Sequence, residues 1–134
     1  MRVFLIFTVL LTFNSSFSQN EKSNLLGKWI FNDFKTEGLS KQQINDLNEM
    51  KPMFENSFVI YNEDFSCSQV NARGKELKGK YTIEKDKIKI VFNNGNKSEQ
   101  TFKLINDELM FFDDDFGMIY KRDKSFIEKK ASTE

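Results

Sequence analysis

A chain of 134 residues with 39 % hydrophobic and 30 % charged residues has the size and balance of one soluble domain. Its 20 Lys+Arg offset 20 Asp+Glu, so it lacks the basic surplus an electrostatic nucleic-acid binder needs. With no His and one Cys, Ser-His-Asp and Cys-His catalysis, an intramolecular disulfide and a Cys-cluster zinc site are all excluded within the chain.

The first segment, residues 1–18, reads as a targeting signal. Arg2 gives a positive start, and residues 3–13 form an apolar run of about eleven residues, short of the roughly 20 that a spanning helix requires. Ser16 and Ser18 are the small residues before a cut at Gln19. A buried N-terminal strand or a retained anchor is the other reading of this run. No Cys stands near the cut, which argues against a lipid-modified N-terminus and for a periplasmic or secreted protein with no span after cleavage. The domain then covers residues 19–134, with 123–134 a polar tail.

Residues 25–35 alternate as a strand, with Leu25, Gly27, Trp29 and Phe31 on one face. The long connection that follows carries helix-start chemistry. Ser40 can cap, Gln43 sits three residues on, and Leu39 with Ile44 are spaced as a hydrophobic staple. Ile44, Leu47, Met50 and Phe54 recur at about helical spacing, and Pro52 ends or kinks the helix near Lys51. From Asn56 onward short strands alternate with tight turns. Strands are expected at 57–61, 65–71, 77–84, 88–92, 100–105, 109–112 and 118–122, with turns at 62–64, 73–74, 85–86, 93–96, 106–107 and 113–115. Leu77, Gly79, Tyr81 and Ile83 against Lys78, Lys80, Thr82 and Glu84 is the cleanest period-two pattern. The expected fold is all-β: an eight-stranded antiparallel up-and-down barrel with one short helix between the first two strands, since a meander of about eight strands removes its edges by closing.

Gly27-Lys28-Trp29 on the first strand resembles the G-x-W signature of the lipocalins, and the chain is most similar in plan to the small exported bacterial lipocalin-like domain proteins. The resemblance implies that Trp29 plugs the closed end of the barrel and that a basic residue ending the last strand, here Arg122, lies across its ring. It also implies a lid over the open end, for which residues 36–55 are the counterpart. The family's second motif, a Thr-Asp-Tyr-like stretch, has only Asn106-Asp107-Glu108 in its place.

Phe31, Tyr81, Ile83, Ile90, Phe92, Phe102, Leu104, Phe111 and Tyr120 are expected to face inward, either as a pocket wall for a small hydrophobic molecule or as a packed core, which the Phe-rich composition of so small a chain, 15 Phe in all, favours. Ile44, Leu47 and Phe54 are the expected lid, opposite Trp29. Asp113-Asp114-Asp115 lacks the spacing of a calcium loop and reads as a solvated turn, so no metal and no cofactor is implied. Lys78, Lys80, Lys87 and Lys89 form an outward basic strip that reads as a solvated face before an anionic-partner site. No closely spaced inward carboxylate pair supports glycosidase-type chemistry, and an enzyme is not expected. Two functions remain: a binding module holding a small hydrophobic ligand, or a structural or interaction domain with a solid barrel.

Overall fold

The computed structural model of the chain describes residues 24–112 and 116–126. Eight strands form a closed barrel: β1 Gly27–Lys35, β2 Phe58–Tyr61, β3 Ser66–Val70, β4 Glu76–Glu84, β5 Lys87–Phe92, β6 Lys97–Ile105, β7 Glu108–Phe112 and β8 Gly117–Arg122. Each strand pairs antiparallel with the next, and β1 closes the barrel on β8. One helix, α1 (Lys41–Met50), and a 3₁₀ turn (Lys51–Met53) occupy the β1–β2 connection. Residues 1–18, the Asp113-Asp114-Asp115 turn and residues 127–134 of the tail lie outside the described residues.

Local chemistry explains each boundary. At the start of α1 the Ser40 hydroxyl accepts from the Gln43 backbone N–H at 3.2 Å, and Gln43 Oε1 accepts from the Ser40 N–H at 2.9 Å. The reciprocal pair satisfies two of the helix's open donors. Pro52 falls inside the 3₁₀ turn, where its missing N–H costs nothing at the first positions. β6 begins earlier than the sequence suggests, at Lys97. Lys97, Ser98, Glu99 and Gln100 are poor strand formers alone, but each pairs across to β5, with Ser98 opposite Ile90 and Gln100 opposite Ile88.

The alternation of β1 breaks at one place. The β1–β8 register shifts between Phe31 and Asp33, so Phe31 opposes Tyr120 while Phe34 opposes Met118. A bulge adds one residue on one strand. Phe34 therefore turns inward where strict alternation would have put Asp33, and the two rings meet edge to face with centroids 5.2 Å apart. Asp33, turned outward, accepts from the Phe34 N–H at 2.8 Å and pairs with Lys51 Nζ at 3.3 Å. That tie links the end of β1 to the 3₁₀ turn. Both partners are substantially exposed, so its contribution is at most about 1 kcal/mol.

β4 passes close against β5 at Gly79, which pairs with Phe92. A Cβ at position 79 would stand 2.5 Å from the Val91 carbonyl oxygen and 2.9 Å from the Phe92 Cα, both backbone atoms that cannot swing aside. Gly79→Ala is expected to force the strands apart and cost about 1–3 kcal/mol. A urea midpoint unchanged from wild type would contradict this close approach.

Outside, the lysine strip is largely compensated. Lys78 pairs with Glu76 at 3.5 Å, Lys87 with Glu99 at 3.1 Å and Lys89 with Glu84 at 2.7 Å. These pairs run along and across neighbouring strands, which makes the strip a mixed, solvated face rather than a basic one.

Candidate functional site

The start of β1 and the end of β8 meet at one end of the barrel. Trp29 is fully buried, opposes Arg122 in the register, and lies under its guanidinium at 4.2 Å from the ring centroid. The indole N–H donates to Leu25 O at 2.7 Å. Arg122 donates to Leu26 O at 2.7 Å and to Asn24 O, and its Nε stands 3.7 Å from Asp107. Burial lowers the guanidinium pKa from its usual value and Asp107 opposes that, so Arg122 stays charged. A cation so placed contributes about 1–2 kcal/mol. Gly27 has φ +118°, a backbone region that glycine enters freely and other residues rarely, which is why a glycine stands two residues before the Trp.

All nine residues expected to line the interior face the barrel's inside. Phe31, Tyr81, Ile90, Phe92, Phe102, Phe111 and Tyr120 are buried in one cluster, with Ile83 and Leu104 packed against it. The cluster is densely aromatic: Phe31 with Tyr120, Phe111 with Tyr120, and Tyr61 with Tyr81 all meet edge to face, with centroids 5.7, 5.3 and 5.0 Å apart.

Its polar atoms are few. Tyr81 Oη donates to Asn62 O at 2.8 Å, while the enclosed Tyr61 hydroxyl has no hydrogen-bond partner among the described residues. A buried unpaired hydroxyl costs about 1–3 kcal/mol. Tyr61→Phe keeps the ring and removes that cost, so it is expected to leave stability unchanged or raise it by about 1 kcal/mol. A clear fall in melting temperature would mean that the hydroxyl has a partner.

Burial pushes the Cys67 thiol up to about 11 and raises the Tyr61, Tyr81 and Tyr120 phenols. The thiolate is the reactive form, so Cys67 is an inert core residue near neutral pH. The folded protein holds these protons more tightly than the unfolded chain. Stability is therefore full below the ordinary thiol value of 9.0 and is lost as pH climbs from there toward about 11. Urea midpoints measured across that window are expected to fall; a flat profile would contradict the enclosure of these groups.

The other end of the barrel carries the β1–β2 connection together with the 71–75 and 93–96 turns. Leu47 is buried, and Phe54 packs on Phe31 and Phe34 with centroids 5.6 and 5.5 Å away. Ile44, also expected in the lid, is only half-buried and stands outside the core cluster, whereas Leu39 and Met50 join it. Ser57, just before β2, is the one buried polar side chain of the described core. It donates to Phe54 O at 2.5 Å and is hydrogen-bonded with the Tyr120 phenol.

Between the 3₁₀ turn and strands β2 to β4 lies a cavity of ≈ 340 Å³. Met53, Phe54, Val59, Val70 and Leu77 supply apolar walls, Tyr120 and Ser57 reach it from the core, and Gln69, Asn71 and Lys75 supply polar groups. Of the nine inward residues only Tyr120 lines it. Leu77 is in phase with Gly79 and Tyr81 but sits high enough on β4 to reach the rim, where it is partly exposed. The phase of Leu77 was visible in the sequence. The contribution of Gln69 was not, because the facing of β3 is set by its pairing with Val59 and Leu77 on either side.

No protein-family profile and no curated protein matches the chain. Solved structures do. A lipocalin-like protein from Bacteroides uniformis superposes with a TM-score of 0.53 at 16 % identity, covering 75 % of this chain and 99 % of that one. The fold is lipocalin-like. An uncharacterized protein from Bacteroides eggerthii shares it, with a TM-score of 0.50 at 11 % identity over 74 % of this chain and 99 % of that one.

Proposed function

We propose that this chain is an exported, non-enzymatic lipocalin-like binding module that takes a small hydrophobic ligand at the mouth of its barrel, beneath the 3₁₀ turn and against Tyr120. The observation that carries this reading is the ≈ 340 Å³ cavity with Met53, Phe54, Val59 and Leu77 as apolar walls and a few polar groups between them. Ligand sites are commonly concave, apolar and about 300–1,000 Å³ in volume. Ile44, Leu47 and Phe54 act as the gate, Leu47 and Phe54 by direct packing and Ile44 from the half-exposed side of α1.

Export rests on the apolar run at residues 3–13 between Arg2 and Ser18. N-terminal sequencing of the exported protein is expected to find Gln19 first, and a protein that retains Met1 in the cytoplasm would refute it.

Native mass spectrometry of protein purified from its own host, together with titration of a hydrophobic fluorescent probe, tests the binding reading. A retained mass or saturable uptake supports it. Neither result would leave the second reading, a solid barrel acting as a structural or interaction domain. The close-packed interior favours that one: Trp29, Tyr61, Tyr81, Ile88, Ile90 and Leu109 all have under 2 % exposure.

A further inference from the structure

We propose that a second copy of this chain docks on the outer wall of β8 and β1, forming a two-fold dimer in which Ile30 and Ile119 pack on their own copies and Lys121 meets Asp33 of the other protomer. The surface lies outside the barrel, so the inference stands apart from the ligand reading above.

The barrel wall has two unlike sides. On β4 and β5 every outward position is charged or a threonine except Val91. That is the pattern of a sheet face turned to water. On the far side, Met110 and Phe112 of β7, Ile119 of β8, Ile30 of β1, and Phe58 and Ile60 of β2 point outward, because the residues that alternate with them are buried in the core. Met110 opposes Ile119, and Ile30 opposes Phe58, so the six form one half-buried belt across four adjacent strands. A contiguous apolar belt on an outer wall marks an interaction surface. Lysines border it: Lys28 Nζ stands 4.1 Å from the Phe58 ring centroid and Lys35 Nζ 5.5 Å from that of Phe112. Their stems shelter the two rings at the flanks, while Ile30 and Ile119 lie on the two middle strands.

The register at the centre is complementary to itself. Lys121 opposes Ile30, and Ile119 opposes Asp33. The isoleucines therefore occupy one diagonal of a four-residue square and opposite charges occupy the other. A two-fold axis laid along the isoleucine diagonal sets each isoleucine against its own copy and exchanges the charged corners. Each Lys121 then faces an Asp33. Glu108, which opposes Lys121 on β7, comes toward Lys35 in the same way, so each side of the diagonal carries one cation and one carboxylate. Asp33 has room for the added partner: its contacts to the Phe34 N–H and to Lys51 Nζ both use Oδ1, which leaves Oδ2. A wall whose charges exchange sign under its own symmetry axis selects a second copy over a partner of one charge.

Sedimentation velocity of the whole protein over a concentration series tests this. A reversible monomer–dimer equilibrium in the micromolar range is expected, as suits a narrow contact between two convex walls. Ile119→Glu is expected to weaken it about a hundred-fold, because the substitution enters the interface twice and puts a carboxylate at its centre. Lys121→Glu and Asp33→Lys are each expected to weaken it about ten-fold, and the two together to return it to within about three-fold of wild type, since the pair is re-formed with its signs exchanged. That rescue cannot come from a misfolded variant. Val91→Glu, on the polar side of the barrel, is the control and is expected to change nothing.

A wild type that stays monomeric throughout the series overturns the proposal. Dimerisation that appears only after Ile127→Glu assigns the belt to the C-terminal tail of the same chain and overturns it also. So does a monomer that binds vesicles of anionic phospholipid through Ile119. A dimer indifferent to Ile119→Glu places the contact elsewhere, and a double charge variant no better than either single one removes the Lys121–Asp33 pairing and with it the proposed axis.

Discussion

Trp29→Ala is expected to cost about 3–5 kcal/mol, the range for removing a large aromatic from a packed interior. For a domain whose whole stability is of the order of 5–15 kcal/mol, that approaches unfolding at ambient temperature. The reasons lie in what the indole touches. It is fully buried, its N–H is committed to Leu25 O, and its face carries Arg122. Deleting it leaves a void where β1 and β8 close the barrel and strands a guanidinium that burial already disfavours. Arg122→Met separates the two contributions. It keeps aliphatic cover over the ring but loses the cation and the bonds that hold Leu26 and Asn24, at an expected cost of about 1–3 kcal/mol. Trp29 is the only Trp, so its fluorescence reports wild type and Arg122→Met. Circular dichroism in urea reports Trp29→Ala. An alanine variant as stable as wild type would show that this end of the barrel does not depend on its plug.

The second large effect is expected at the opposite end. Leu47→Ser removes a buried side chain of α1 and is expected to cost about 2–5 kcal/mol, while Ile44→Ser, at a half-buried position outside the core cluster, is expected to cost under about 1 kcal/mol. Phe54→Ala is expected to fall with Leu47, because its ring is wedged against Phe31 and Phe34. If α1 and the 3₁₀ turn gate the mouth cavity, Leu47→Ser also speeds exchange of a hydrophobic probe while the far-ultraviolet signal of the sheet is kept. If the barrel is a solid interaction domain, the melting temperature falls and no probe is taken up by wild type or variant. Stopped-flow release of the probe, run beside melting curves, separates these outcomes. A destabilised Leu47→Ser with unchanged probe exchange would remove the gate.

Much of this architecture was legible in the residues. Period-two alternation in β4 and β5, the Ser40 and Gln43 capping pair, and the short turns each arise from neighbours within a few positions, and such local preferences can be read along the chain. The pairing of Trp29 with Arg122 was legible for a different reason: closure of a meander leaves the first and last strands as each other's neighbours. Local chemistry could not reveal the bulge at Asp33, because it arises from the registry of β1 on β8, nearly ninety residues away in sequence. Nor could it show that β6 begins at Lys97, where the partner strand overrides weak propensity.

The site divides in the same way. The inward facing of Phe31, Tyr81, Phe102 and Tyr120 follows from pattern, since each lies on one face of its own strand. Whether such residues wall a pocket or fill a core depends on how their rings interlock across the barrel, and only the assembled barrel decides that. The mouth cavity is likewise a product of assembly. Met53, Gln69, Leu77 and Lys75 come from three separate segments, and no periodicity joins them. They share a rim because antiparallel closure brings the β1–β2 connection and the β3–β4 turn to the same end of the barrel.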